Sequence, residues 1–103
     1  MENPTALSDN EIKTRLAKTP GWTYADNKLK KEFSFDDFMD AIHFISGIAP
    51  YFEEISHHPD IHIFYNNVLF ELQRFDMGGK VTDKDFLAAS EIEKRFSEKK
   101  KAS

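Results

Sequence analysis

Between residues 35 and 72 the spacing of apolar side chains changes from one period to another, and this change limits what the chain can fold into. Phe35, Phe38, Ile42, Ile45, Ala49 and Phe52 recur three or four residues apart, the repeat of a helix with one buried stripe. Past Pro59, Ile61, Ile63 and Tyr65 alternate with His62 and Phe64. Val68, Phe70 and Leu72 then alternate with Leu69, Glu71 and Gln73. A period of two places one set of side chains on each face of a strand. A chain carrying both periods has to lay a helix against a sheet.

The punctuation between these runs sets the order of elements. Ser8-Asp9-Asn10-Glu11 reads as a capping box opening a short helix that includes Ile12 and Leu16 and runs to about Lys18. Pro20-Gly21 ends it. Trp22 to Tyr24 and Leu29 to Phe33 flank the turn pair Asp26-Asn27 and predict a hairpin. Ser34, with Asp37 three residues on, is the expected start of the second helix, which should reach Ile55 with a kink near Ser46-Gly47 caused by Pro50. Pro59 holds His58 extended. Asn66-Asn67 is the expected turn of a second hairpin, and Met77-Gly78-Gly79-Lys80 breaks its last strand. Thr82-Asp83-Lys84-Asp85 caps a final helix bearing Phe86, Leu87, Ala89, Ile92 and Phe96. The order is α-β-β-α-β-β-α. It predicts an α+β fold, a four-stranded antiparallel sheet with three helices on one face.

Length allows one domain over residues 1–103, with 1–7 and 99–103 frayed. A core this small gains from the ten phenylalanines, each of which can bury a large apolar area. The net charge of −4 is spread along the chain, and no clustered basic face suggests a nucleic-acid partner. Cysteine is absent, which excludes disulfides and thiolate metal sites. Neither a secretory leader nor a membrane-length apolar run is visible, so a cytoplasmic protein without a membrane partner is expected.

The residues able to do chemistry are Glu53, His57, His58, His62 and Asp85. Glu53 lies four residues before His57, so a helix would place both on one face. A carboxylate beside an imidazole orients the ring and favours its protonated form. Two adjacent histidines at a helix end point in different directions and could approach opposite ends of a flat ligand. One would take a proton and the other give one, as a dehydration requires. The plainer alternative is a surface contact at a helix C-terminus, where histidine complements the dipole. His62 reads as a solvent-side strand residue, His43 as structural, and Asp85 by default as a helix-start acid. A metal site built from His57, His58 and His62 is disfavoured, because neighbouring histidines rarely point at one ion. Gly78-Gly79 lacks the surroundings of a phosphate loop.

The stretch Glu53-Glu54-Ile55-Ser56-His57-His58-Pro59, followed by Tyr65 and later by Asp85, resembles the signature of the pterin-4a-carbinolamine dehydratase family. The resemblance runs from the first helix to about Phe96. It implies dehydration of a 4a-hydroxytetrahydropterin to a quinonoid dihydropterin, which recycles the tetrahydrobiopterin-type cofactor of aromatic amino-acid hydroxylases. It further implies no metal or organic cofactor, and a homodimer or homotetramer, dimers often forming by joined sheet edges. Matched to the motif, His57, His58 and Glu53 would be catalytic. Ser56, His57, His58, Gln73, Arg74, Phe75, Asp76 and Asp85 would bind substrate. One position departs from the pattern. Where the family expects His or Trp this chain has Phe75, with Lys80 as a one-residue insertion beyond it. Phenylalanine keeps a flat ring but cannot exchange a proton. That departure sustains a second expectation, a catalytically weakened binding module acting as a coactivator or assembly chaperone.

Overall fold

The computed structural model describes residues 7–73 and 81–102, with side chains through Lys99. Its elements follow the expected order: α1 (Asp9–Leu16), β1 (Thr23–Ala25), β2 (Lys28–Ser34), α2 (Phe38–Glu54), β3 (Asp60–Phe64), β4 (Asn67–Leu72) and α3 (Asp83–Ala102). The four strands form one antiparallel sheet in the order β1-β2-β4-β3. The second hairpin therefore inserts β4 at the centre and leaves β3 on an edge.

Local chemistry accounts for most of the boundaries. Ser8 and Glu11 form the capping box at the start of α1, each side chain bonding the other's backbone N–H. Asp26 and Asn27 both have positive φ, 54° and 62°. Such a pair turns the chain with the twist a two-residue hairpin needs, and Asp and Asn tolerate it better than most residues.

Two boundaries differ from the sequence expectation. Ser34 does not open the second helix. It is the last residue of β2, pairs with Asn67, and donates its hydroxyl proton to Asn67 Oδ1 at 2.8 Å. The helix begins three residues later, where Asp37 caps it by accepting from the Asp40 N–H at 2.8 Å. The second hairpin turns at Tyr65-Asn66 rather than Asn66-Asn67. Asn66 is held by Phe35, its carbonyl accepting from the Phe35 N–H and its side-chain amide donating to the Phe35 carbonyl. Asn67 is thereby left to pair with Phe64 and Ser34 inside the sheet. Tyr65 takes the left-handed conformation, φ 57°, that the shifted turn demands. The helix α2 runs without a break through Pro50, whose ring and the Ser46 carbonyl it deprives of a donor both lie at exposed positions.

In β4 burial alternates strictly: Val68, Phe70 and Leu72 are inaccessible to solvent and the residues between them are only half-buried. With Leu29 and Phe33 of β2 they make the face onto which all three helices pack. Ile12 comes from α1, Ala41, Phe44, Ile48 and Phe52 from α2, and Phe86, Ala88, Ala89 and Ile92 from α3. Phenylalanine rings link the layers edge to face. Phe33 meets Phe70 at 5.8 Å and Phe96 at 4.8 Å, and Phe44 meets Phe70 at 6.4 Å. Polar ties add to this. Glu93 of α3 accepts from the Trp22 indole at 2.9 Å and pairs with Lys31 of β2. Arg95 donates to the Gly47 carbonyl of α2 at 2.9 Å.

The opposite face of the sheet carries a charge cluster. Glu71 of β4 accepts from His62 of β3 at 3.1 Å and lies 3.5 Å from Lys28 and 3.6 Å from Lys30 of β2. Although partial burial opposes ionisation, the His62 hydrogen bond and the two lysines hold its carboxyl below the ordinary range.

Candidate active site

The candidate residues gather where the C-terminus of α2 meets the N-terminus of α3. Helix α2 stops through a reciprocal backbone closure: the His57 N–H bonds the Phe52 carbonyl at 3.0 Å and the Ser56 N–H bonds the Glu53 carbonyl at 3.1 Å. This is the Schellman arrangement, which needs a left-handed residue after the cap. That residue is Ser56, with φ 53°. The chain then leaves the helix extended, as the proline after His58 requires. Successive side chains of an extended segment point to opposite sides, so the two imidazoles diverge.

His57 turns inward. Its side chain is 2% exposed, and Nε2 is bonded to Oδ1 of Asp85, whose side chain has no exposure at all. Asp85 belongs to the first turn of α3. Its other oxygen, Oδ2, accepts from the Thr82 N–H at 2.7 Å and lies 3.4 Å from the Thr82 hydroxyl. His58 turns outward, with its side chain 63% exposed, and Nε2 lies 2.6 Å from Oε1 of Glu53. The i,i+4 spacing had placed Glu53 beside His57. Because the helix ends at Glu54 and the chain reverses at Ser56, the carboxylate meets His58 instead. Each histidine thus has its own carboxylate, one pair dry and one wet.

Two neighbours read in the sequence only as part of a helix cap. Lys84 donates to the Ile55 carbonyl at 2.8 Å and closes the open C-terminal end of α2. Thr82 is fully buried beneath Asp85's carboxylate, where only a cap was expected. Gln73 follows β4. Since Asp60 pairs with Glu71, the strand register brings Gln73 to the end of the sheet where His58 stands. Arg74, Phe75 and Asp76 lie outside the described residues. Tyr65 sits at the other end of β3, in the hairpin turn and largely exposed. His62 is also apart, on the outer sheet face with Glu71. His43 is an exposed residue of α2. Among the described residues no three His, Asp or Glu side chains stand where they could hold one metal ion. Among them, too, no helix is long and apolar enough to cross a membrane.

Chemically, the arrangement offers two imidazoles, each oriented by a carboxylate, on adjacent residues. An imidazole held by a carboxylate can take or give a proton; the His58 ring is open to solvent and the His57 ring is not.

Residues 5–95 match the family model described as pterin 4 alpha carbinolamine dehydratase. A protein of Sulfolobus acidocaldarius, provisionally named pterin-4-alpha-carbinolamine dehydratase, is 47% identical over 88 residues, 85% of this chain and 96% of its own length. A Picosynechococcus protein with the same provisional name is 43% identical over 82 residues, covering 80% of this chain and 88% of its own. Among solved structures, a protein from Brucella melitensis described as a transcriptional coactivator/pterin dehydratase superposes with a TM-score of 0.82 at 28% identity. The match covers 88% of this chain and 98% of that one.

Proposed function

The chain belongs to the pterin-4a-carbinolamine dehydratase family, and from that premise we propose that it dehydrates a 4a-hydroxytetrahydropterin to the quinonoid dihydropterin. The observation that carries the reading is the double pairing at the end of α2, His57 with Asp85 and His58 with Glu53. The ring nitrogen next to C4a gives its proton to one imidazole, and its electron pair forms the C=N bond. The C4a–oxygen bond breaks, and the departing hydroxyl takes a proton from the other imidazole and leaves as water. Protons and electrons balance without a metal or an organic cofactor. Ser56, Gln73, Arg74, Phe75 and Asp76 are the further substrate contacts by match to the family motif. The reading carries with it a cytoplasmic protein serving aromatic amino-acid hydroxylases, whose cofactor the reaction recycles.

It also carries a homodimer or homotetramer. Strand β3 is an edge whose outer backbone groups are unpaired within the sheet, and Ile63, Phe64 and Tyr65 beside it are exposed by 39%, 56% and 70%. Joining two such edges would pair the backbone and cover the side chains. Sedimentation as a monomer at micromolar concentration would remove this part of the reading.

A second reading, a binding module of weakened catalysis, is favoured by the replacement of the family's His or Trp with Phe75. The Brucella relative, described as both coactivator and dehydratase, shares the fold. The two readings separate on one variant. If His57 and His58 suffice, the wild type dehydrates freshly generated carbinolamine above the spontaneous rate. Phe75→His then raises that rate, toward the roughly two to four orders of magnitude a general acid or base contributes. A wild type that binds pterin without catalysis supports the binding module. A protein that neither binds nor turns over pterin, and gains nothing from Phe75→His, excludes both pterin readings and leaves a protein partner to be sought.

A further inference from the structure

Where α1 meets α3, two open hollows adjoin at Ser90 and form one groove. The first, of about 380 Å³, is lined by Arg15, Lys84, Asp83, Phe86 and Leu87. The second, of about 370 Å³, has Lys18, Lys31 and Glu93 in its wall. The chain carries a net charge of −4, yet four cations face two carboxylates here. Glu93 is already taken by Lys31 and by the Trp22 indole. Arg15, Lys18 and Lys84 remain, opposed by Asp83. Lys84 donates to the Ile55 carbonyl, a neutral partner that leaves its charge unbalanced. Arg15 stands over the Phe86 ring, 5.8 Å from its centroid, while Glu11 one turn back is held in the cap by Ser8. Among the described residues neither Arg15 nor Lys18 forms an ion pair. Beside these charges Leu87 is 51% exposed. His57, His58 and Asp85 line neither hollow.

An occupant of this groove needs negative charge in more than one place and an apolar side chain between or beside the charges. A small anion meets neither need. None of the polar residues of the wall is buried, and the cations are divided between two hollows instead of converging on one point. We propose that the α1–α3 groove is a docking surface for an acidic peptide segment of a partner protein. Its carboxylates meet Arg15 and Lys18, and its apolar side chain covers Leu87 and Phe86. Opposite charges steer and orient such a segment, and the covered apolar area adds affinity. The surface is separate from the paired histidines and does not depend on the dehydratase reading.

A fluorescein-labelled peptide, Glu-Glu-Leu-Glu-Glu, titrated with the full chain and followed by anisotropy, tests it. The expected result is saturable binding with Kd below about 1 mM. Arg15→Glu should weaken it by about fivefold or more. Lys13→Glu makes the same charge change in the same last turn of α1 but lines neither hollow, so its effect should stay within about twofold. Leu87→Ser should weaken binding by about twofold or more. In NMR of the wild type, the peptide should shift the backbone amides of Arg15, Lys18, Leu87 and Ser90 and leave those of His58 and β3 in place. This map decides the matter alone if Arg15→Glu fails to fold. Absence of binding overturns the proposal, as does equal weakening by Lys13→Glu and Arg15→Glu, or a shift map centred elsewhere. Displacement by an equal concentration of inorganic phosphate overturns it in favour of a simple anion site. Equal affinity for a labelled single-stranded DNA overturns it in favour of unselective charge attraction. A dimer in sedimentation that Arg15→Glu dissociates overturns it in favour of a second copy of this chain.

Discussion

Ser56 occupies a backbone conformation that ordinarily favours glycine, φ 53°. A side chain in that region costs about 1–2 kcal/mol, and such strain is found preferentially at functional sites. On the proposed function the hydroxyl would be a substrate contact. Replacing it should separate the two effects. Ser56→Gly relieves the strain at the cost of greater unfolded-state freedom, so the melting temperature should hold or rise. KM for the carbinolamine should increase several-fold. A variant that melts lower and keeps its KM would mean that the serine serves the helix end and not the ligand. His57 makes the complementary point about choosing a substitution. Truncating it to alanine would leave the Asp85 carboxylate buried without its partner, a loss of about 3–5 kcal/mol. His57→Gln can still present an amide donor to that carboxylate, so it removes the imidazole with less damage to the fold.

Among the elements, those whose boundaries rest on local chemistry were legible in advance and those set by a distant partner were not. The capping box at Ser8, the Asp26-Asn27 turn and the alternating face of β4 each follow from residues within a few positions of one another. Ser34 and the Asn66-Asn67 turn were misplaced for one shared reason. Both belong to the junction between Ser34-Phe35 and Asn66-Asn67, 31 to 33 residues apart in sequence, where a serine–asparagine bond and a backbone pair extend the sheet. Glu71 likewise draws its partners from strands on both sides, His62 from β3 and Lys28 and Lys30 from β2. This cluster has a pH signature. Its carboxyl titrates lower in the folded chain than in the unfolded one, so it adds stability above the unfolded value of about 4.5. That contribution is lost as the pH falls through the lower, folded value. Glu71→Gln should therefore be less stable than wild type in urea at pH 7, with the difference shrinking below pH 4.5. An equal difference at pH 7 and pH 3 would show that the charge of Glu71 contributes nothing.

At the scale of the whole molecule, the sheet and three helices bring the end of α2 and the start of α3 together, residues nearly thirty apart in sequence. The sequence could place His57, His58, Glu53 and Asp85 on a short list because their types and the family pattern marked them. Which carboxylate serves which ring was not readable, because it depends on how the chain turns at Ser56 and on where α3 docks. On the proposed function, two adjacent histidines, one buried against Asp85 and one exposed beside Glu53, dehydrate a pterin carbinolamine. The most direct test is the initial rate of carbinolamine loss for wild type, His57→Gln and His58→Ala, measured side by side against the uncatalysed reaction. The expected result is a wild-type rate above the spontaneous one and a fall of about 10²- to 10⁴-fold in each variant, with both variants still folded. A wild type no faster than buffer, or two folded variants that both keep the wild-type rate, would contradict it.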